Sequence, residues 1–201
     1  MSEKPKPKRT QAERTTQRKA QVIREAIHFF GQNGYHGAKL ADIAKAAGVT
    51  EPGLLYHFPS KAHLLMEVLA ERDRSDRQKF DAALQDGTKA PLALLQDLVE
   101  YNETVPGLVQ LFTVLVAESI DETHPGHEFF KRRYQTLREQ SIGILEEAQA
   151  RGEIRRDIPA EELVIMLFAI MDGLQVQWLY EPDRFQMAHM FQQFLILLKG
   201  E

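Results

Sequence analysis

The stretch LADIAKAAGVTEPGLLYHFPSK, Leu40 to Lys61, limits what this chain can fold into more than any other segment. Leu40, Ile43, Ala44 and Ala47 recur at helical spacing and give a first short helix one apolar face. Gly48 stands where that helix has to stop, because glycine enters a left-handed backbone conformation without steric cost. Val49 can fold back into a core, and the Thr50 hydroxyl can cap a second helix. Glu51 suits the positive end of that helix, and Pro52 loses little in a first turn whose N–H groups have no intrahelical partner. The second helix, Thr50 to Phe58, exposes Thr50, Glu51, Gly53, Tyr56 and His57. Pro59-Ser60-Lys61 then restarts a third, with Ser60 as its N-cap. This pattern reads as a helix-turn-helix, in which the second helix enters the major groove of DNA. On spacing alone, an ordinary helical hairpin competes with it.

The rest of the chain repeats the helical theme. Val22, Ile23, Ala26, Ile27 and Phe30 form one face of a helix from Ala12 to about Asn33, ended by Asn33-Gly34, with Phe29 and Phe30 assigned to core and Tyr35 packing beneath the next helix. A fourth helix runs from Ser60 past Phe80, with Leu64, Leu65, Val68 and Leu69 inward and an exposed, charged outer half, ERDRSDRQKFD. After the breakers from Asp86 to Pro91, helices are expected over Leu92–Thr104, Leu108–Ile120, from His124-Pro125-Gly126 to about Arg151, over Pro159–Tyr180, and over Arg184–Lys199 capped by Asp183. The inner stripe of the third of these is Phe130, Tyr134, Leu137, Ser141, Ile144 or Leu145, and Ala148. No strand pattern persists and no repeat is visible, so the fold class is all-α. The expected organisation is a disordered basic tail over 1–10, a helix-turn-helix domain over 11–61, and a helical regulatory and dimerisation domain over 62–201.

Charge supports that division. The formal net charge is −4, yet residues 1–61 hold 11 Lys and Arg against 5 Asp and Glu, leaving 14 against 24 for the remainder. A basic end on an acidic body suits a DNA-reading module joined to a domain with another task. In the tail, Lys4, Lys6, Lys8 and Arg9 can follow phosphates or lie in the minor groove, or simply solubilise the chain. There is no cysteine, which removes disulfides and thiolate zinc sites. The N-terminus has no signal-peptide run. The most apolar stretch, Leu163 to Leu179, carries Asp172, Gln175 and Gln177 and reads as too polar to span a membrane, so no membrane partner and a cytoplasmic location are expected.

The segment FFGQNGYHGAKLADIAKAAGVTEPGLLYHFPSKAHLL, Phe29 to Leu65, resembles the N-terminal signature of the TetR family of bacterial regulators in the order and spacing of its glycines, its helix pattern and its YHFPSK ending. The resemblance covers about the first third of the chain. It implies a reading surface of Thr50, Glu51, Gly53, Leu54, Tyr56 and His57, with Lys39 and Lys61 on phosphates. Three positions depart from the family. Lys39 replaces a capping Ser or Thr and cannot accept a hydrogen bond. Leu55 replaces an aromatic residue of the usual pair, and Gly53 a small polar one that often meets a base. The resemblance also implies a double-stranded DNA operator and a small-molecule effector as partners, a homodimer through the last two helices, and no cofactor. Those two helices are apolar around most of their circumference, which asks for cover on more than one side.

Polar groups among apolar ones in the body suggest a ligand pocket, with Asn102, Phe112, Thr113, Tyr134, Met166, Met171, Gln175 and Trp178 as candidate ligand-binding residues, each also readable as plain core. Gln110, Ser141, Phe168 and Asp172 share that pattern. His124 and His127, near Glu118, Asp121, Glu122 and Glu128, form the one metal-like cluster. A His-x-x-His across a proline-glycine turn reads better as surface residues at a helix start, so no metal is expected. No catalytic motif is present: no Gly-x-Ser-x-Gly, no P-loop, no dinucleotide glycine pattern. The leading reading is a repressor that binds a palindromic operator as a homodimer and is released by ligand. A helical interaction protein with a non-reading helix-turn-helix stands behind it, and an all-α enzyme last.

Overall fold

Thr10 opens the first helix with reciprocal bonds: the Glu13 backbone N–H donates to the Thr10 hydroxyl and the Thr10 backbone N–H donates to the Glu13 carboxylate. The computed structural model describes residues 10–86 and 89–199, with side chains throughout except at 75, 76, 79–81, 83–85 and 91. The basic tail over 1–9 lies outside the described residues. Thr10, counted with that tail above, belongs to the helix cap.

The described residues form nine helices: α1 Gln11–Gly37, α2 Leu40–Ala46, α3 Glu51–His57, α4 Lys61–Asp86, α5 Pro91–Glu103, α6 Pro106–Glu118, α7 His127–Ala150, α8 Ala160–Tyr180 and α9 Met187–Leu198. The all-α expectation holds, and most boundaries fall within a few residues of those read from the sequence. α1 does break at Gly34, whose φ of 66° and ψ of −176° kink it, but a further helical turn follows to Gly37. Asp183 does not cap α9. Residues 181–184 close a turn of their own, and the helix starts at Met187, where Glu103 of α5 accepts the Ala188 N–H at 3.2 Å in place of a local cap.

A hydrophobic cluster of Val22, Ala26, Phe30, Ile43, Ala44, Leu54, Phe58, Leu64, Leu65, Val68 and Leu69 joins α1 to α4. It continues into Leu111 and Leu115 of α6 and Phe130 of α7. The boundary expected at residue 61 therefore does not coincide with a break in packing: α1 lies along α6 and shares its core with the body. Two further clusters fill the body, one around Val99, Leu167, Trp178, Met187 and Phe191, the other around Leu145, Ala148, Ile154, Leu163 and Leu198.

α8 meets the length and apolarity of a membrane span, so its polar residues do not settle that question as expected above. One face of it, with Leu163, Val164, Leu167, Met171, Gln175 and Trp178, is buried against α6, α7 and α9.

Candidate nucleic-acid interface and ligand cavity

The turn between α2 and α3 is built as its sequence requires. Gly48 takes a φ of +67°, with open space around its Cα. The Val49 N–H reaches back to the Ala44 carbonyl at 3.0 Å, and the Thr50 hydroxyl accepts from the Gly53 N–H at 3.2 Å. Lys39 occupies the N-cap of α2 without any side-chain bond, and its side chain is exposed. Ser60 caps α4 by accepting from the His63 N–H at 3.0 Å.

α3 has two faces. Leu54 and Phe58 are buried beneath it, while Thr50, Glu51 and Tyr56 stand outside and Gly53, Leu55 and His57 sit between. Tyr56 is 84 % exposed, its ring edge-on to His57 at 5.1 Å. Leu54 is the correction to the reading surface: at 0 % exposure it anchors α3 to the core and touches no outside partner. The helical stripe explains it, since Leu54 and Phe58 are four residues apart and Tyr56 lies on the opposite side.

Lys61 also differs from expectation. Its ammonium donates to the His36 carbonyl at 3.0 Å and lies over the Tyr35 ring at 4.9 Å, turned back onto α1. Burial lowers its pKa, with Glu118 pulling the other way. Glu118 ends α6, and its carboxylate accepts the Tyr35 N–H at 2.6 Å. A Cβ on Gly34 would push against this carboxylate, the far end of a side chain that could shift, and it is the positive φ of 66° that favours glycine there. The head and the body thus meet at Gly34, Tyr35, Lys61 and Glu118.

His124, read as a surface residue, lies inside this junction at 4 % exposure. The Gly126 N–H donates to its Nδ1 at 3.0 Å and the Ser119 hydroxyl sits 2.8 Å away, which places the ring proton on Nε2. Burial lowers its pKa, against the pull of Glu118, whose oxygen is 3.8 Å from Nε2. His127 bonds the Ser119 carbonyl through Nδ1 at 2.9 Å. These histidines tie a tight turn, and among the described residues no group of three metal-ligating side chains assembles.

In the body, a cavity of about 170 Å³ opens between α4, α5, α6, α7 and α8. Asn102, Phe112, Tyr134, Met171 and Gln175, named from the sequence, line it, as do Ser141, Phe168 and Asp172. Thr113, Met166 and Trp178 do not. Thr113 is turned one residue away from Phe112. Met166 lies on the outer face of α8, off the stripe formed by Phe168, Met171, Asp172 and Gln175. Trp178 continues that stripe one turn too far and is sealed by Met187 and Phe191.

Sequence reasoning missed Arg72, Asp73 and Arg133. The charged run after Leu69 reads as exposed, yet Arg72 and Asp73 are half-buried on the cavity wall. A signal was present: Leu65, Leu69 and Arg72 follow one another at helical spacing on the inner face. The Arg72 and Arg133 guanidinium groups lie 4.8 and 4.9 Å from the Phe112 ring centre. Arg133 pairs with Asp73, and Arg72 donates to the Leu108 carbonyl. Deeper, the Tyr134 hydroxyl donates to Asp172 at 2.7 Å. Burial and that bond push the Tyr134 pKa well above its ordinary value. Burial likewise raises the Asp172 carboxyl, opposed by the Tyr134 bond and by Arg133.

Comparison with known proteins agrees with this architecture. The HTH-type transcriptional regulator TtgR of Pseudomonas putida is 28 % identical over 177 residues, covering 85 % of this chain and 84 % of its own. CymR, another HTH-type transcriptional regulator of Pseudomonas putida, is 27 % identical over 188 residues, covering 88 % and 87 %. A crystal structure of a TetR-family transcriptional regulator from Agrobacterium tumefaciens shares the fold at a TM-score of 0.80 and 17 % identity, over 92 % of this chain and 99 % of that one. Residues 22–68 match the model of bacterial regulatory proteins of the tetR family, and residues 89–199 match the C-terminal domain of BetI-type transcriptional repressors. With head and body both matched, the chain belongs to the TetR family of bacterial transcriptional regulators.

Proposed function

We propose that this regulator is a repressor that binds a palindromic operator as a homodimer and leaves it when a small molecule fills the body cavity. The observation that carries the reading is the two-faced α3, buried through Leu54 and Phe58 and open through Thr50, Glu51, Tyr56 and His57. Such a helix is held rigidly by its core while its polar face lies in a major groove. Tyr56 and the exposed Lys39 are the phosphate contacts we favour. Lys61 serves first as a strut against α1. A regulator that reads the chromosome works in the bacterial cytoplasm.

The dimer is supported by the outer faces of α8 and α9. Ile165, Met166, Ile170, Val176 and Tyr180 are exposed along α8, and Met190, Ile196 and Leu197 along α9. Gly173 lies on the same side of α8, where a Cβ would meet nothing. That leaves a flat apolar strip suited to its own copy across a two-fold axis. Two heads at fixed separation then require two half-sites.

α6 offers the route from cavity to head. Phe112 stands in the cavity wall and Glu118, less than two turns on, holds the Tyr35 N–H. A ligand that shifts α6 acts on both heads through this bond, and it releases DNA by preferring the shifted state.

Selection of duplexes from a random DNA pool by the purified protein tests the reading, with light scattering on the same preparation. Enrichment of one inverted repeat by a dimer is expected. A monomer, or retention without an enriched sequence at near-physiological salt, would overturn it.

A further inference from the structure

We propose that the body cavity takes a compact, uncharged and otherwise apolar carbonyl compound, of the class of a ketone, ester or amide, whose oxygen accepts from the side-chain amides of Asn102 on α5 and Gln175 on α8. This rests on the ligand-released regulator described above and adds the chemistry of the ligand to it.

Asn102 is 3 % exposed and Gln175 9 %, and both line the cavity. Neither side chain makes a hydrogen bond within the protein among the described residues. The Asn102 Oδ1 is sealed off, so what this residue offers the cavity is its Nδ2 donor. Neither amide atom of Gln175 is sealed, so its Nε2 donates and its Oε1 accepts. A molecule that fills the cavity takes both amides out of water, and each donor then left without an acceptor costs about 1–3 kcal/mol. A carbonyl oxygen accepts from both amides, and a hydrocarbon of the same shape accepts from neither. The Gln175 Oε1 receives a ligand N–H as well, which admits amides beside ketones and esters.

The charged groups of the wall argue against an ionic ligand, because they are already engaged. Asp73 is paired with Arg133, Arg72 is directed at the Leu108 carbonyl and the Phe112 ring, and Asp172 accepts from Tyr134. Arg77 stands exposed at the edge that adjoins a second, shallower depression. A carboxylate would have to take Arg133 from Asp73 while facing Asp172, and a cation would meet Arg72 and Arg133. An uncharged ligand leaves these pairs in place and uses the two amides that have no pair.

Volume and walls set the rest. A cavity of about 170 Å³ is close to the roughly 150 Å³ that holds benzene in a dry protein interior. Leu95, Leu98, Leu137, Ile144, Phe168 and Met171 supply apolar walls. One ring with a small carbonyl substituent fits.

Calorimetric titration of the full-length protein with acetophenone, isopropenylbenzene, benzoate and benzamidine tests this. Each is a ring with a branched substituent of similar size, carrying in turn a neutral acceptor, no hydrogen-bonding group, a negative charge and a positive charge. Acetophenone and isopropenylbenzene differ in hydrophobicity, so the reading is how each responds to substitution. Gln175→Met and Asn102→Leu keep the side chain's size and remove its donors. Each should weaken acetophenone by about three- to tenfold and leave isopropenylbenzene within about twofold of the parent, or tighter. Retained isopropenylbenzene binding also shows that the variant has kept its cavity. Benzoate and benzamidine should bind the parent at least about tenfold more weakly than acetophenone. An equal response of acetophenone and isopropenylbenzene to the substitutions, a charged probe that binds the parent tightest, or no binding of any probe would each overturn the assignment. Operator selection by the same preparation separates the two readings. A protein that selects an inverted repeat but ignores every probe is a regulator with another ligand class. One that binds acetophenone through the two amides but selects no DNA retains the cavity assignment and loses the regulator.

Discussion

The head and the body of this protein solve opposite packing problems. In the head, Val22, Phe30, Ile43 and Leu54 of α1, α2 and α3 are buried to completion, while Lys39, Thr50, Glu51 and Tyr56 face water. In the body, arginine, aspartate, tyrosine and asparagine side chains turn inward around a cavity, while isoleucine, methionine and leucine side chains face outward along α8 and α9. A surface that reads DNA has to be rigid underneath and polar on top. A body that senses a ligand and pairs with a copy keeps space inside and apolar area outside. Two residues of the same type placed in the two regions should therefore respond differently to the same substitution.

Phe30 and Phe168 make that test. Phe30 is fully buried in a filled core, so Phe30→Ala is expected to cost about 3–5 kcal/mol, as deletion of a packed aromatic ring does. Phe168 is half-buried and borders a cavity that already exists, so Phe168→Ala enlarges open space and should cost less than about half as much. Urea unfolding at one fixed protomer concentration measures both. Equal losses would mean that the cavity closes around Phe168 in solution, and the contrast between the regions would fall.

The next largest effect lies where the regions touch. Gly34→Ala places a side chain at a φ of 66° and a ψ of −176°, a region open essentially to glycine only, and drives a Cβ into the Glu118 carboxylate. The backbone part alone should cost about 1–3 kcal/mol. Adding Glu118→Ala should recover the collision but not the strain, and it also removes the acceptor of the Tyr35 N–H. A double-mutant cycle on stability separates these contributions. Strict additivity would show that Glu118 has moved away and that the head is not held through it.

The same contrast explains what the sequence disclosed. The head was legible almost residue by residue, because apolar-in and polar-out is the pattern that periodicity detects: Gly48, Thr50 and Ser60 each do what their position demanded. Leu54 departs from the reading surface that the family resemblance implies, because its own spacing with Phe58 puts it in the core. In the body that rule inverts. Arg72 and Asp73 look like solvent residues, Met166 looks like wall, and His124 looks like surface, since the pairing of Asp73 with Arg133 spans 60 positions and no local pattern announces it. The stripe Tyr134, Leu137, Ser141 and Ile144 faces inward as its spacing predicts, yet whether it meets a neighbour or a cavity depends on α8 and α5. Tertiary placement decides that.

A smaller effect probes the inward charge. The Asp172 carboxyl is pushed above its ordinary pKa by burial, while Tyr134 and Arg133 pull it down. Between the ordinary carboxylate range and that raised value, the folded protein holds a proton that the unfolded chain has released. Stability contributed by this group is then present at the acid end and lost as pH rises through the window. Asp172→Asn keeps an acceptor for the Tyr134 hydroxyl and removes the titration. Denaturation curves across the window should fall with pH for the parent more steeply than for the variant. Parallel curves would show that Asp172 is solvated, and the body would be less inverted than its side chains indicate.

The smallest expected change is at Lys39, where the head itself departs from its own rule. α1 and α3 open on threonine side chains that accept a backbone N–H, whereas α2 opens on a lysine that makes no such bond. Lys39→Thr should stabilise the protein by about 0.5–1 kcal/mol through a new cap. The same change removes an exposed positive charge beside the reading helix, so operator affinity should fall and the slope of log affinity against log salt should shrink by about 1. Stability and binding moving in opposite directions would identify Lys39 as a residue whose charge serves the operator at the expense of its helix. A gain in stability with an unchanged salt slope would leave it outside the phosphate contacts, and the head would then be polar on top for solubility at that corner rather than for DNA.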